Sequence, residues 1–464
     1  LALRGDGTRP ADVVFVEVGG TVGDYENSFY IEALRELAFE EGPGSVCFVA
    51  LTYVIEPEAL GEQKSKAAQL GIKRLLEAGV QPHMIACRAT NPVQPKVLEK
   101  IAMFSNVPLR RVFSMHDRES IYQIPEEMRQ DGLDREILSL LGLHERVDVS
   151  QEDRARTKWS KFAHLLGSER DWNLRVGVIG KYAELRDAYA SIDKAIEHSS
   201  AHFNTRVEQT WIESTGLESG DVAEALADID AIIVPGGFGS RGVEGKIACV
   251  RHCREAGVPY LGICLGFQVA VIEFARHVLR MGDATSTEWN PDADLAVISE
   301  LPEQKEIEGL GGTMRLGAQD VALAPDSLAT FLFRERLTSD GKIRERFRHR
   351  YEVEPAYLER LEAAGLVFSG RHPSSPIMQF LELPYSTPAD APDGARVAHP
   401  YFVGAQFHPE LTSRPLSPQP MFMGLLAAAL RERYATDESA WSRLSAQPSM
   451  RRWLRQEVRQ PVNA

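Results

Sequence analysis

Short, continuous apolar runs that end in glycine or polar clusters alternate along this chain with longer stretches in which apolar residues recur at helical spacing. Such runs predict strands covered on both faces, and their alternation with helices predicts an α/β fold built on a parallel sheet. The first run, VVFVEVGGTVGD after Asp12, predicts a buried strand opening into a ligand-facing glycine loop. Helical spacing follows over 31–41, a second buried strand over 46–53, a helix over 69–78, a strand over 83–87, a helix over 96–104 and a strand over 111–114. A charged, loosely periodic stretch at 150–172 reads as a linker with a helical segment. A fresh α/β pattern then begins, with a strand and turn in LRVGVIGKY, a helix over 188–202 and strands over 230–234 and 259–264. Between 326 and 395 the pattern predicts irregular hairpins and loops, and after 435 a Trp- and Arg-containing tail of surface helices. The expected organisation is a first domain over 1–149, a linker over 150–172, a second domain over 173–435 and a tail over 436–464.

Composition narrows the classes of function. The 464 residues are 44% apolar and 25% charged, enough for a buried core and against disorder. Fifty-two Lys and Arg against 66 Asp and Glu leave a net charge of -14, the wrong sign for coating nucleic acid or an anionic membrane. No apolar run approaches the length needed to cross a bilayer. Five cysteines, an odd number, suit reduced thiols and a cytoplasmic setting. The first residue is Leu rather than Met, so a chain lacking its natural N-terminus is expected.

The chemistry concentrates in VPYLGICLGFQVAVIEFARH, residues 258–277. A strand-like run ends at Ile263, Gly262 and Gly266 bracket Cys264, and an amphipathic helix follows. Small residues on both sides of a nucleophile permit the strained strand-to-helix elbow that projects it, and a helix N-terminus favours a thiolate. Read alone, Cys264 could equally be a buried strand cysteine. A thiolate nucleophile needs a base and a group to orient that base. In VGAQFHPELT, residues 403–412, His408 and Glu410 are two positions apart, so in an extended segment both point the same way. The strand-like IIVP at 232–235 ends in GGFGSRGVEG, whose backbone N–H groups could stabilise an oxyanion. Each of these two pieces by itself also fits an ordinary loop.

Together, in the order PGGFG, GICLGFQ, FHPE, the three pieces resemble a class I glutamine amidotransferase. The resemblance implies that Cys264 attacks the glutamine amide, His408 carries protons and Glu410 fixes His408. It also implies an oxyanion hole at Gly236 and Leu265, and glutamine binding by Gly237, Phe238, Gln268, Glu288 and Arg350. Segments outside the triad, among them GKYAELRDAYASI at 180–192, ARHVLRMGDATSTEW at 275–289, LGGTMRLGAQ at 310–319 and RHRYEV at 348–353, resemble the CTP synthase family. So do VEVGGTVGD, CRATNPV, KIAMFSNVP and DRESIYQIP in the first domain.

That resemblance implies a P-loop-type parallel-sheet synthetase domain, incomplete at its N-terminus, followed by the amidotransferase α/β domain. It implies ATP-dependent amination of UTP to CTP with ammonia from glutamine, in pyrimidine nucleotide biosynthesis. By the same resemblance Glu17 would bind Mg2+. Asp24, Glu26, Lys64, Lys66, Gln69 and Lys100 would hold UTP or inhibitory CTP, and Arg88 and Asp117 ATP. Lys181, Arg241, Gly242 and Glu244 would lie where GTP activates glutamine hydrolysis. Without the resemblance, the charged residues of the first domain also fit a solvated helix end, and those near Arg241 a soluble loop. A homotetramer, with filaments as a further assembly, is implied as well. The family's UTP segment usually reads K-T-K-P-T-Q-H-S where this chain has KSKAAQLG, and I-E-S-x-P-F where it has YENSFY. No GxxxxGK[ST] phosphate loop occurs, so this chain alone is expected to be limited to the glutaminase half-reaction. The alternative reading is a glutamine amidase or γ-glutamyl hydrolase with a degenerate nucleotide domain.

Overall fold

The computed structural model describes residues 11–57, 61–181, 189–301, 314–385 and 398–454. The chain forms two compact units that divide between Gly167 and Ser168. Residues 182–188 and 310–313, which carry part of the family-like segments, lie outside the described residues, as does the tail beyond 454.

In the first unit, β1 (Val49–Tyr53), β2 (Met84–Ala89) and β3 (Val112–His116) form a parallel sheet in that order. The central strand is the most continuously apolar, because it needs cover on both faces. The helices Lys66–Glu77 and Pro95–Ser105 cover one face, where Ile72, Ile85, Cys87, Val97 and Ile101 pack together. Met84, Phe113 and Leu133 cluster separately. The second predicted strand is shorter than expected and only half-covered: β1 is an edge strand, with Leu51 73% exposed.

The predicted buried strand after Asp12 does not form. Residues 13–19 form no regular secondary structure, and Val13, Val14, Phe15 and Val16 are exposed. An apolar run becomes a strand only where a ladder partner and covering layers exist, and among the described residues no strand pairs with this one. The glycine loop that follows is nonetheless held. Asn27 Nδ2 donates to the carbonyls of Gly19 at 3.2 Å and Thr21 at 2.8 Å, and the Thr21 N–H donates to Asp24 at 3.1 Å, ahead of the helix Tyr25–Glu41. Residues 149–167 form one helix within the first unit. Its Phe162 is buried against Tyr122, and its Trp159 donates to the Tyr122 carbonyl at 2.8 Å.

The second unit is built on a nine-stranded sheet. Its parallel part contains β4 (Trp172–Gly180), β5 (Thr205–Glu213), β6 (Ala231–Val234), β7 (Tyr260–Ile263) and, at its far edge, Phe402–Ala405. In chain order the remaining strands are β8 (Thr285–Ser286), β9 (Ala296–Ser299), β10 (Arg315–Leu323), β11 (Lys342–His349), β12 (Glu352–Val353), β13 (Val367–Arg371) and β14 (Met378–Glu382), which makes Phe402–Ala405 β15. The sheet order is β11-β10-β13-β14-β15-β7-β6-β4-β5, with the first four strands antiparallel to their neighbours. Within 326–395 the expected hairpins include the antiparallel pair β13–β14, and β11 joins the same sheet beside β10. The tail differs from the surface helices expected: Leu444, Met450 and Trp453 are buried in the core, with the Trp453 ring 5.7 Å from Phe331.

Strands β6, β7 and β15 are buried along their whole length and run side by side in the same direction. Their C-terminal ends open at one edge of the sheet, where ligands bind in open α/β folds.

Candidate active site

Register brings the three sequence motifs together. Val234 pairs with Gly262, and Ile263 with Ala405, so the residues that follow each strand emerge side by side. The Cys264 N–H donates to the Ala405 carbonyl at 2.7 Å, tying the elbow to the strand that leads to His408. Cys264 itself has φ 51° and ψ −98°, a strained backbone for a residue with a side chain, and it caps the helix Leu265–His277. Gly266 is required by close approach, since a Cβ there would collide with the Val234 carbonyl oxygen. The Leu265 N–H belongs to the first helical turn, whose N–H groups have no carbonyl partner within the helix.

His408 Nδ1 lies 2.8 Å from Glu410 Oε1. The spacer Pro409 opens a short 3-10 turn, Pro409–Thr412, which is tied to β11 by the Thr412 hydroxyl donating to Glu345 at 2.8 Å. The imidazole also meets Cys264. A Cβ built on Gly236 would sit 2.8 Å from His408 Cε1 and 3.5 Å from Cys264 Cβ, so the glycine leaves the space in which thiol, imidazole and loop converge. Burial alone would lower the His408 pKa, but hydrogen bonds with Cys264 and Glu410 and their charges outweigh it and raise it to about 11. The site thus favours an imidazolium beside the sulfur.

The glutamine-binding residues expected from sequence lie around this centre. Gln268 is buried and donates to the Tyr351 carbonyl at 2.9 Å and to Gln406 at 3.2 Å. Glu288 accepts the Gly239 N–H at 2.6 Å, Gly237 and Phe238 are exposed on the same loop, and Arg350 is exposed next to Tyr351. Lys181 donates to the Phe238 carbonyl, with its ammonium 5.5 Å from the Phe238 ring centroid. Arg241 pairs with Glu213 at 3.3 Å, and Glu244 with Arg276 at 2.6 Å. Gly242, at φ +74°, caps the helix Val243–Ala256.

Two further residues were not picked out from sequence. Gln406, fully buried, donates to Cys264 Sγ at 3.6 Å and accepts from Gln268. Lys246 is buried beneath the Gly236–Gly237 loop. The AQFHPE string places Gln406 two residues before His408, a signal that could have found it. For Lys246 only the fold reveals the burial.

In the first unit, Arg88 and Asp117 form an ion pair, and Arg88 also donates to the Met115 carbonyl at 3.3 Å. Lys64 pairs with Glu62 at 2.5 Å, and the charge of Lys100 also acts on Glu62. Lys66 opens the helix that carries Gln69, whose amide donates to the Ser65 hydroxyl at 3.2 Å. Asp24 and Glu26 stand exposed at the start of the helix Tyr25–Glu41. Glu17 is exposed in the irregular segment after Asp12 rather than at the end of a strand, and among the described residues no group of three or more His, Cys, Asp or Glu could hold a metal ion. Magnesium takes few protein ligands but needs them held. The residues present do not form that site.

A strained cysteine at a strand-to-helix elbow, a His–Glu pair just beyond the end of the neighbouring strand and a glycine loop beside both define the amidotransferase class. The family model for class I glutamine amidotransferases matches residues 184–428, and the model for the CTP synthase N-terminus matches residues 3–143. The CTP synthase of Methanopyrus kandleri is 46% identical over 421 residues, spanning 90% of this chain and 74% of that protein. The CTP synthase of Thermococcus gammatolerans is 42% identical over 427 residues, spanning 92% and 75%. The glutaminase domain of Trypanosoma brucei CTPS, solved with bound acivicin, is 33% identical over 56% of this chain and 94% of its own, with a TM-score of 0.49. The chain belongs to the CTP synthase family, glutamine-dependent ligases of pyrimidine biosynthesis that use ATP. Because the matches span both domains, the alternative of a glutamine amidase or γ-glutamyl hydrolase with a degenerate nucleotide domain is not favoured.

Proposed function

We propose that Cys264, His408 and Glu410 release ammonia from glutamine, and that this ammonia aminates UTP to CTP in an ATP-dependent step on the first unit. The observation that carries the reading is the convergence of Cys264 with His408, whose Nδ1 lies 2.8 Å from Glu410, at the carboxyl ends of β7 and β15.

Cys264 Sγ, its proton passed to His408, bonds to the amide carbon, and the C=O electron pair moves onto oxygen. The Gly236 and Leu265 N–H groups face that oxyanion. His408 returns the proton to the leaving nitrogen, the C–N bond breaks and ammonia departs. Water, deprotonated by His408, then cleaves the thioester to give glutamate and restore the thiol. Glu410 holds the imidazole orientation throughout. Glu288 suits the ammonium and Arg350 the carboxylate of the substrate amino acid, with Gln268, Gly237 and Phe238 completing its pocket.

In the first unit, Lys64, Lys66, Gln69 and Lys100 are assigned to UTP, Asp24 and Glu26 to inhibitory CTP, and Arg88 and Asp117 to ATP. Lys181, Arg241, Gly242 and Glu244 are assigned to activation by GTP. The reading includes a homotetramer, a cytoplasmic location, and domains over 1–149 and 173–435. Glutamate release tests it: Cys264→Ala abolishes release, and release at the wild-type rate would overturn the assignment.

A further inference from the structure

Lys246 has no part in the mechanism above, yet its setting is unusual. It lies in the first turn of the helix Val243–Ala256, directly after the glycine loop, and is only 1% exposed. A buried ammonium is costly unless an anion faces it. The carboxylates nearby are engaged elsewhere: Glu213 with Arg241 at 3.3 Å, Glu244 with Arg276 at 2.6 Å and Glu288 with the Gly239 N–H at 2.6 Å. Lys246 makes no ion pair among the described residues. Its Nζ instead lies 3.8 Å from where a Cβ on Gly237 would sit, and Leu265 Cδ2 lies 3.4 Å from the same point. The ammonium therefore lies against the Gly236–Gly237 loop, which the Leu265 side chain of the elbow also meets, and the charge of Cys264 reaches it.

We propose that Lys246 is a positioning residue of the glutamine site, whose buried positive charge, acting through the Gly236–Gly237 loop, favours the negative charge formed at Cys264 and on the attacked amide oxygen. This rests on the reading of Cys264 as nucleophile. The cost of holding an ammonium without a carboxylate is offset when the site becomes anionic, which is when catalysis needs it. Burial lowers the Lys246 pKa to about 8; the charge of Lys181 acts in the same direction, while Glu213, Cys264 and Glu288 oppose it. These are the charged groups that reach Lys246 from the ends of β4 and β5, the elbow and the loop before β9. The field is therefore lost as pH rises through that value.

The test is steady-state glutamate release by the full chain carrying Lys246→Met, which keeps most of the stem volume, and Lys246→Arg, which keeps the charge at all relevant pH. Removing a direct oxyanion donor costs roughly 100- to 1,000-fold, so a charge one layer back predicts a loss of about 10- to 100-fold in kcat for Lys246→Met, with KM little changed. Lys246→Arg restores most of kcat and moves the alkaline limb of the rate profile upward from about 8. The melting temperature of Lys246→Met is unchanged or higher, because a buried charge has been removed. Wild-type kcat in Lys246→Met, a loss confined to KM, or equal losses in both variants with a lower melting temperature would each overturn the proposal. If Lys246→Met does not fold, Lys246→Gln carries the same comparison. Cys264→Ser separates the two readings: if it still hydrolyses glutamine, the nucleophile assignment fails, whereas if it is inactive and Lys246→Met is normal, only the role of Lys246 fails.

Discussion

Two adjacent glycines in the loop after β6 should respond oppositely to the same added methyl group. In Gly236→Ala the new Cβ lies 2.8 Å from His408 Cε1, 3.6 Å from His408 Nδ1 and 3.5 Å from Cys264 Cβ. Carbon atoms pack at about 3.5–4.0 Å, so the ring must move by roughly 0.7 Å or the loop must retreat by as much. The ring has little slack, because Nδ1 is held 2.8 Å from Glu410 and the His408 N–H donates to the Arg346 carbonyl at 2.8 Å. A displacement of about 1 Å between reacting groups can cost about 100-fold, so kcat for glutamine hydrolysis should fall about 30- to 100-fold, or roughly 2–3 kcal/mol. In Gly237→Ala the nearest atom is the movable Leu265 methyl at 3.4 Å, and neither glycine has a positive φ. There kcat should stay within about threefold of wild type, with any effect of the methyl on glutamine binding appearing in KM. Glutamate release measured on both variants, with circular dichroism to confirm folding, decides the matter. A Gly236→Ala enzyme within about threefold of wild-type kcat would refute the argument from convergence, as would equal damage from the two substitutions.

His408→Ala should lower kcat for glutamate release by about 10,000-fold or more, and Glu410→Ala at least about tenfold less than that, since orienting a base matters less than supplying it; equal losses would contradict the division of roles. Gln406→Leu removes the amide N–H that reaches Cys264 Sγ at 3.6 Å and should slow alkylation of Cys264 by iodoacetamide several-fold, read by mass spectrometry at that cysteine. An unchanged alkylation rate would show that the contact does not stabilise the sulfur anion. Burial raises the Glu345 pKa to about 7, despite the Thr412 hydroxyl and the Arg336 charge, so the fold disfavours its charged form and loses stability as pH rises from about 4.5 to 7. Glu345→Gln should therefore gain melting temperature relative to wild type between pH 5 and pH 8, with roughly 3 kcal/mol as the upper limit; a difference independent of pH would exclude a buried, titrating carboxyl.

The triad could be read from sequence because its signals are local: glycines flanking Cys264 and a His–Pro–Glu spacing are demands on a few consecutive residues. Gln406 is signalled only by standing two residues before His408, and Lys246 by nothing local, since their roles arise from the pairing of β7 with β15 and from the packing of a helix under the loop. The apolar run after Asp12 predicted a strand that does not form, because hydrophobicity reports the need for cover but not whether a partner strand supplies it. In the stretch read as irregular, KIRERFRH hides a strand of perfect alternation: Ile343, Glu345, Phe347 and His349 face inward. Two of those inward residues are ionisable, which disguised the period of two. The burial of the tail helices is masked for a related reason. Their few apolar side chains, Leu444, Met450 and Trp453, are spaced too sparsely to mark a face, yet all are buried.

The most direct test of the account is to trap the acyl-enzyme. After mixing with glutamine and rapid acid quench, the tryptic peptide 255–276, which contains Cys264, should carry a glutamyl thioester in the wild-type chain, decaying as glutamate appears. His408→Ala should fail to form it at a comparable rate, and Cys264→Ser should never carry the thioester. Glutamate release at the wild-type rate by Cys264→Ser, or a glutamyl adduct found on another cysteine, would contradict the assignment of Cys264 as the nucleophile.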